Sequence, residues 1–182
     1  MRISLVGLFL IGCGGGSSGG TSFEGIYRVD TWTDNNTACV EGPSVAQGRD
    51  PFFYVKNESF LGARFVNVKD CNDIATCTTE ANEEGTIHIG SFGFDEGSDA
   101  AGWTTHSAFA FDVQGQCKGG VTDATLTISK TGFRIESRHV EAVPFPPVSG
   151  EDDCPDEKVE QAAEGQPCTE LEVLTATFVQ DY

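Results

Sequence analysis

Apolar residues fall at every second position along much of this chain, and that alternation restricts the fold more than any other feature. A strand turns successive side chains to opposite faces, so a period of two marks a sheet with one buried side. Residues 25–32 (GIYRVDTW) alternate in this way, and 52–55 and 63–68 are short aromatic or β-branched runs. Residues 86–94 (TIHIGSFGF) are punctuated by glycine, 105–113 place Phe109, Phe111 and Val113 on one face, and 124–129 do the same for Leu126 and Ile128. Lys130-Thr131-Gly132 makes a tight connection to 133–140, and 171–179 (LEVLTATFV) closes the chain. Eight such runs separated by turn residues predict an all-β, antiparallel fold, either an up-and-down barrel or a two-sheet sandwich of about eight strands. One short helix is expected over 155–164, with Pro155 in its first turn, Val159, Ala162 and Ala163 inside, and Gly165 as the stop. The 13 phenylalanines are a large aromatic payload, able to fill a barrel or to line a cavity within one.

Charge excludes several kinds of partner. The chain carries 11 Lys and Arg against 28 Asp and Glu, a net charge of −17. No basic stripe exists to release counterions from a nucleic acid, so no nucleic-acid partner is expected. Adhesion by charge to an anionic membrane surface is excluded for the same reason. A length of 182 residues suits a single domain.

The N-terminus reads as an address. Arg2 precedes an apolar run ending at Gly12, too short to span a hydrocarbon core, which needs about 20 residues. The run ends Leu10-Ile11-Gly12-Cys13, which resembles the lipobox of bacterial lipoproteins. The resemblance implies a signal peptide over 1–12 that is removed, and a diacylglycerol thioether on Cys13 with acyl chains, palmitate among them, to hold the protein on a membrane. Two or three chains anchor stably, at about 0.8 kcal/mol per buried CH₂. Residues 14–22 (GGGSSGGTS) then form a flexible tether, leaving 23–182 as the single folded domain. Gly14 rather than Asp after the lipidated cysteine implies the outer membrane, so the expected location is the bacterial cell envelope, lipid-anchored there.

With Cys13 spent, Cys39, Cys71, Cys77, Cys117, Cys154 and Cys168 remain. An even number in an exported chain predicts three disulfides, with 15 connectivities open. Proximity suggests Cys71 with Cys77 across a surface loop, and Cys154 with Cys168, closing a loop worth about 3 kcal/mol. Cys39 would then join Cys117. The second pair is geometrically awkward. Ten helical residues span about 15 Å, disulfide Cα atoms lie within about 7 Å, and 165–168 return at most about 13 Å. The chain would have to double straight back.

Few groups suggest chemistry. Asp95, Glu96 and Asp99, in a Gly-containing loop, are the best calcium candidates, with Asp152 and Asp153 second, but neither fits the twelve-residue calcium loop. A solvated acidic face is the simpler reading, and no cofactor or other metal is implied. His88, His106 and His139 lie in expected strands. If Ile87, Ile89, Phe109 and Phe111 face inward, His88 and His106 face outward, while His139 shares parity with Phe133 and Ile135 and faces inward without them. No Gly-x-Ser-x-Gly elbow is present. Lys130, Arg134 and Arg138 near one hairpin suggest internal charge pairing, and 143–147 (VPFPP) a stiff linker. Gly25-Ile26-Tyr27 is similar to the Gly-x-Trp that opens the first strand of lipocalins, with Tyr where that family has Trp and Trp32 five residues on.

The functional expectation is a lipid-anchored envelope lipoprotein with a non-enzymatic binding or structural role, its partner an envelope protein or a small apolar ligand. A carrier with a lipocalin-like cavity is the alternative and would show an empty aromatic pocket inside the barrel. A structural module would show a filled core and an exposed apolar patch instead. An envelope hydrolase, the third reading, would need polar groups converging in a cleft.

Overall fold

The computed structural model describes residues 23–35, 39–44, 50–61, 63–83, 91–148 and 154–182. The expected signal peptide over 1–12, Cys13, the expected tether, Ile87, His88, Ile89, Asp152 and Asp153 lie outside these residues. Nine strands are present among the described residues: β1 (Gly25–Asn35), β2 (Phe52–Phe60), β3 (Ala63–Cys71), β4 (Phe92–Phe94), β5 (Glu96–Ser98), β6 (Gly102–Asp112), β7 (Cys117–Ile128), β8 (Gly132–Glu141) and β9 (Glu170–Gln180). Helix α1 (Ile74–Ala81) follows β3, and α2 (Asp156–Ala163) precedes β9. No described helix is long and apolar enough to cross a membrane.

Every pairing is antiparallel, in the order β4-β3-β2-β1-β9-β8-β7-β6-β5. Neighbours in the sheet are neighbours in sequence except where β9 returns to β1. This is an up-and-down meander curled into a nearly closed barrel, not a two-sheet sandwich.

The closure uses one segment twice. β4 pairs with β3, and two residues later β5 pairs with β6. Between them the Asp95 amide donates to Thr104 O at 3.3 Å. Residues 92–98 therefore pass from one edge of the sheet to the other and cover part of each, which shortens edges that would otherwise template aggregation. Arg64 of β3 pins the same seam. Its guanidinium lies 3.0 Å from Asp99 Oδ1, 2.8 Å from Asn57 Oδ1, and 5.1 Å from the centre of the Trp103 ring.

The interior is filled. Tyr27, Phe53, Phe94, Trp103, Leu126, Phe133, Ile135 and Leu174 are buried in one cluster inside the barrel. Phe53 packs on both Trp32 and Phe133, at centroid distances of 5.6 and 6.2 Å. Tyr27 packs edge-on against Phe133 at 5.0 Å and gives its hydroxyl to Phe23 O. Burial pushes that phenol well above its ordinary range, with the Asp181 carboxylate adding to the effect.

The two helices sit outside the barrel. α1 covers Ile26 and Tyr54 through Cys77 and Ala81, and α2 covers Val121 through Val159 and Ala163. Only α2 was legible in the alternation. The signals for α1 are Asp73, whose side chain accepts from the Thr76 amide at 2.7 Å, and Asn82 at the C-cap.

Cys71 is bridged to Cys77 (Cα–Cα 5.4 Å), which ties the end of β3 to α1 rather than closing a surface loop. The other two expected pairs are corrected: Cys117 joins Cys154, and Cys39 joins Cys168, each at a Cα–Cα distance of 5.6 Å. The reason is α2. The helix carries the chain away from Cys154 without an immediate return. Cys154 stays beside the start of β7, while Cys168 reaches the start of β9 next to the end of β1. The linker 143–147 lies along β7, where the Cys117 amide donates to Phe145 O at 2.7 Å.

Candidate functional site

Pairing register sorts the loops to the two ends of the barrel. The chain enters at Phe23, at the end that also holds the β2–β3 and β7–β8 turns. The β6–β7 turn and the segment from β8 to β9 lie at the other end, called here the mouth.

Along β6, Trp103 is buried on the inner face. Phe109 and Phe111 share its parity but are 44% and 67% exposed. They keep the inward parity expected of them, but they are not buried. The β6–β7 hairpin runs past the packed interior, so the same parity that buries Trp103 leaves these two rings at the open mouth. Val113 continues the apolar surface and is also exposed.

Facing them across the mouth are Thr122 of β7, Ser137 and His139 of β8, and Glu170 and Glu172 of β9, which together with Phe109 line a cleft of about 310 Å³. His139 faces inward, as its parity with Phe133 and Ile135 predicts. It stacks on Phe109 with ring centres 6.0 Å apart, and its Nδ1 lies 3.1 Å from Thr122 Oγ1. Gly120 makes this position available. A Cβ there would come within 2.6 Å of the His139 ring and 2.3 Å of Val140 O. The Trp32 indole N–H donates to Glu172, closing the floor of the cleft.

A second cleft, of about 530 Å³, runs along the outer face between α2 and β6–β8. His106 faces it, outward as expected. Its Nδ1 lies 2.7 Å from Asp123 Oδ1 and its Nε2 3.4 Å from Glu160 Oε1. The hydrogen bond to Asp123 comes first among the causes that hold this imidazole above its ordinary pKa of 6.5, with the charges of Asp123 and Glu160 adding to it. His106 and His139 thus stand on opposite faces of the sheet.

The calcium candidates are not arranged as a loop around an ion. Glu96 begins β5, Asp95 leads into it, and the Asp99 carboxylate is taken by Arg64. Among the described residues no three His, Cys, Asp or Glu side chains are arranged to hold a metal. Arg134 pairs with Glu41 at 3.1 Å and Arg138 with Glu136 at 2.6 Å, which is the internal pairing expected of that hairpin. Hydrogen bonds from Arg138 draw the Glu136 carboxyl below its ordinary range.

The sequence did not point to one carboxyl pair. Asp50 and Asp70 share a hydrogen bond that raises the Asp50 pKa, and Ser91 bonds to Asp70. The signal was absent because the two acids lie on β3 and in the loop before β2, brought together only by that hairpin.

The fold defines an antiparallel up-and-down barrel with a packed interior and two exterior helices. No protein-family profile, no curated protein and no solved structure matches the chain.

Proposed function

We propose that the chain is a lipid-anchored cell-envelope lipoprotein with a non-enzymatic binding role, exercised at the mouth of the barrel. The observation that supports it is the division of the aromatic residues. Below the mouth the interior holds one cluster of buried apolar and aromatic side chains, while Phe109 and Phe111 are exposed at the mouth. A carrier needs the opposite arrangement, a hollow interior and a polar rim. An apolar patch retained on so acidic a surface costs solubility and is best explained by a partner that covers it.

The geometry suits an anchored binder. A lipid on Cys13 would attach through the tether to Phe23, at the end of the barrel away from Phe109 and Phe111. The mouth would then point off the membrane, toward an envelope protein or an apolar ligand group.

Two measurements test this. Intact mass spectrometry of protein from its native membrane should give residues 13–182 plus acyl chains, and Cys13→Ala should release the protein. An unlipidated mass overturns the anchor. A photo-crosslinking residue at Phe111 should capture an envelope component in intact cells. The same residue at Leu61, which is 92% exposed at the opposite end, should not. Equal capture at both positions overturns the role of the mouth.

A further inference from the structure

The cleft beside α2 has a chemistry of its own. Its floor is apolar, made by Val121, Val140 and Ala163. Its rim is acidic: Asp123 from β7, Glu160 from α2, and Glu164 at the C-cap of that helix. The cleft also takes in the C-terminal turn of α2, the negative end of a helix dipole, and that turn carries no basic residue. Among the described residues neither Lys nor Arg lines the cleft. Its walls are held from two sides. The Cys117–Cys154 bridge fixes the start of α2, and the Val143 amide donates to Ala162 O at 3.0 Å near its end.

An apolar floor below carboxylates is complementary to one kind of ligand, an aliphatic chain bearing ammonium groups. We propose that this cleft binds a linear aliphatic polyamine, with its methylenes on Val121, Val140 and Ala163 and its ammonium groups on Glu160, Glu164 and Asp123, in competition with the protonated His106. This is independent of the reading of the mouth and of the lipid on Cys13.

The competition follows from the geometry. When protonated, His106 occupies Asp123 and Glu160 at once. When neutral, it leaves both carboxylates to the ligand. The other charged groups around it do not substitute for the imidazole. On β8, Arg138 stands in register with Asp123 but gives its guanidinium to Glu136. On α2, Lys158 is directed to Gln161. On β5, Glu96 opposes Thr104 on the same face and adds only negative charge, and on β6 itself the neighbours on that face are Thr104 and Ala108. Polyamine affinity should therefore rise with pH across the imidazole titration. With a pKa above 6.5, exclusion by the imidazolium weakens binding at about pH 5.5 by roughly tenfold or more relative to about pH 8.

The test is calorimetric titration of spermidine into the detergent-solubilised full chain near 0.15 M salt, at both pH values. The expected result is saturable binding that tightens at least about tenfold toward the higher pH. Glu160→Gln with Glu164→Gln should weaken it by a similar factor. Asp156→Asn with Glu157→Gln, which removes the same charge from the exposed first turn of α2, should leave it within about twofold, as screened surface charges require. His106→Gln should keep the binding and abolish its pH dependence. Circular dichroism confirms the fold of each variant, since all these side chains are largely exposed. Equal losses from the two charge pairs would reduce the effect to attraction by net charge and overturn the site. A flat pH profile in the parent chain, or a slope that survives His106→Gln, would overturn the competition.

Discussion

Removing the Cys39–Cys168 bridge should be the most costly disulfide loss in this protein. The bridge closes a sequence separation of 129 residues, against 37 for Cys117–Cys154 and 6 for Cys71–Cys77. Loop-closure entropy scales with the logarithm of loop length, so the three bridges are worth about 5, 4 and 2 kcal/mol respectively. Cys39 and Cys168 are both half-buried, whereas the other four cysteines are buried. Cys39→Ala with Cys168→Ala therefore removes the constraint on the unfolded chain with little loss of packing. The two residues join the loop after β1 to the lead into β9, and among the described strands that pair alone joins sheet neighbours from opposite ends of the chain. The expected loss of up to about 5 kcal/mol corresponds to a fall in Tm of roughly 10–20 °C for a domain of this size. Urea denaturation of the double variant, followed by tryptophan fluorescence, measures the loss. Peptide mapping of the parent chain without reduction checks the pairing. A change below about 1 kcal/mol would refute the entropic reasoning, and a Cys154–Cys168 peptide would refute the topology behind it.

Three further outcomes follow from the packing. Phe53→Ala, at a fully buried ring touching Trp32 and Phe133, should cost about 3–5 kcal/mol, while Phe111→Ala should stay within about 0.5 kcal/mol; parallel denaturation curves compare them. Gly120→Ala should cost about 1–3 kcal/mol and displace the His139 ring, seen as a shift of its NMR resonances, because the added Cβ meets Val140 O and that ring. The His106 imidazole should titrate above 6.5 by NMR, and Asp123→Asn should lower the midpoint. Since the folded pKa is the higher one, the stabilisation from this contact is present in full below the unfolded pKa. It is lost as pH rises through the folded pKa. The parent should therefore lose its stability advantage over His106→Gln on going from about pH 5.5 to about pH 8.

The alternation in 25–32, 105–113, 124–129 and 133–140 was enough to place β1, β6, β7 and β8, and the parity of His139 was right because β8 is regular to its end. The same rule gave the face of Phe109 and Phe111 but not their exposure. Parity names a face of the sheet, but burial depends on whether anything stands opposite that face, and beyond Trp103 the barrel opens. The run 86–94 was expected to be one strand. Residues 86–90 of it lie outside the described residues; 92–94 pair as β4 and 96–98 as β5, because a segment that closes a barrel must satisfy two different edges. Neither the His106–Asp123–Glu160 contact nor the Asp50–Asp70 pair was legible, since each joins residues far apart in the chain.

Local information determined the strand-rich class, the tight β7–β8 turn, α2, and the inward or outward sense of regular strands, all of which depend on side chains within a few positions of one another. Tertiary structure decided barrel over sandwich, the filled interior, the exposed aromatic mouth and two of the three disulfides. Those depend on which distant backbone edges meet when the sheet curls. Period-two patterning is the same in a sandwich and in a barrel, because each buries one face of every strand.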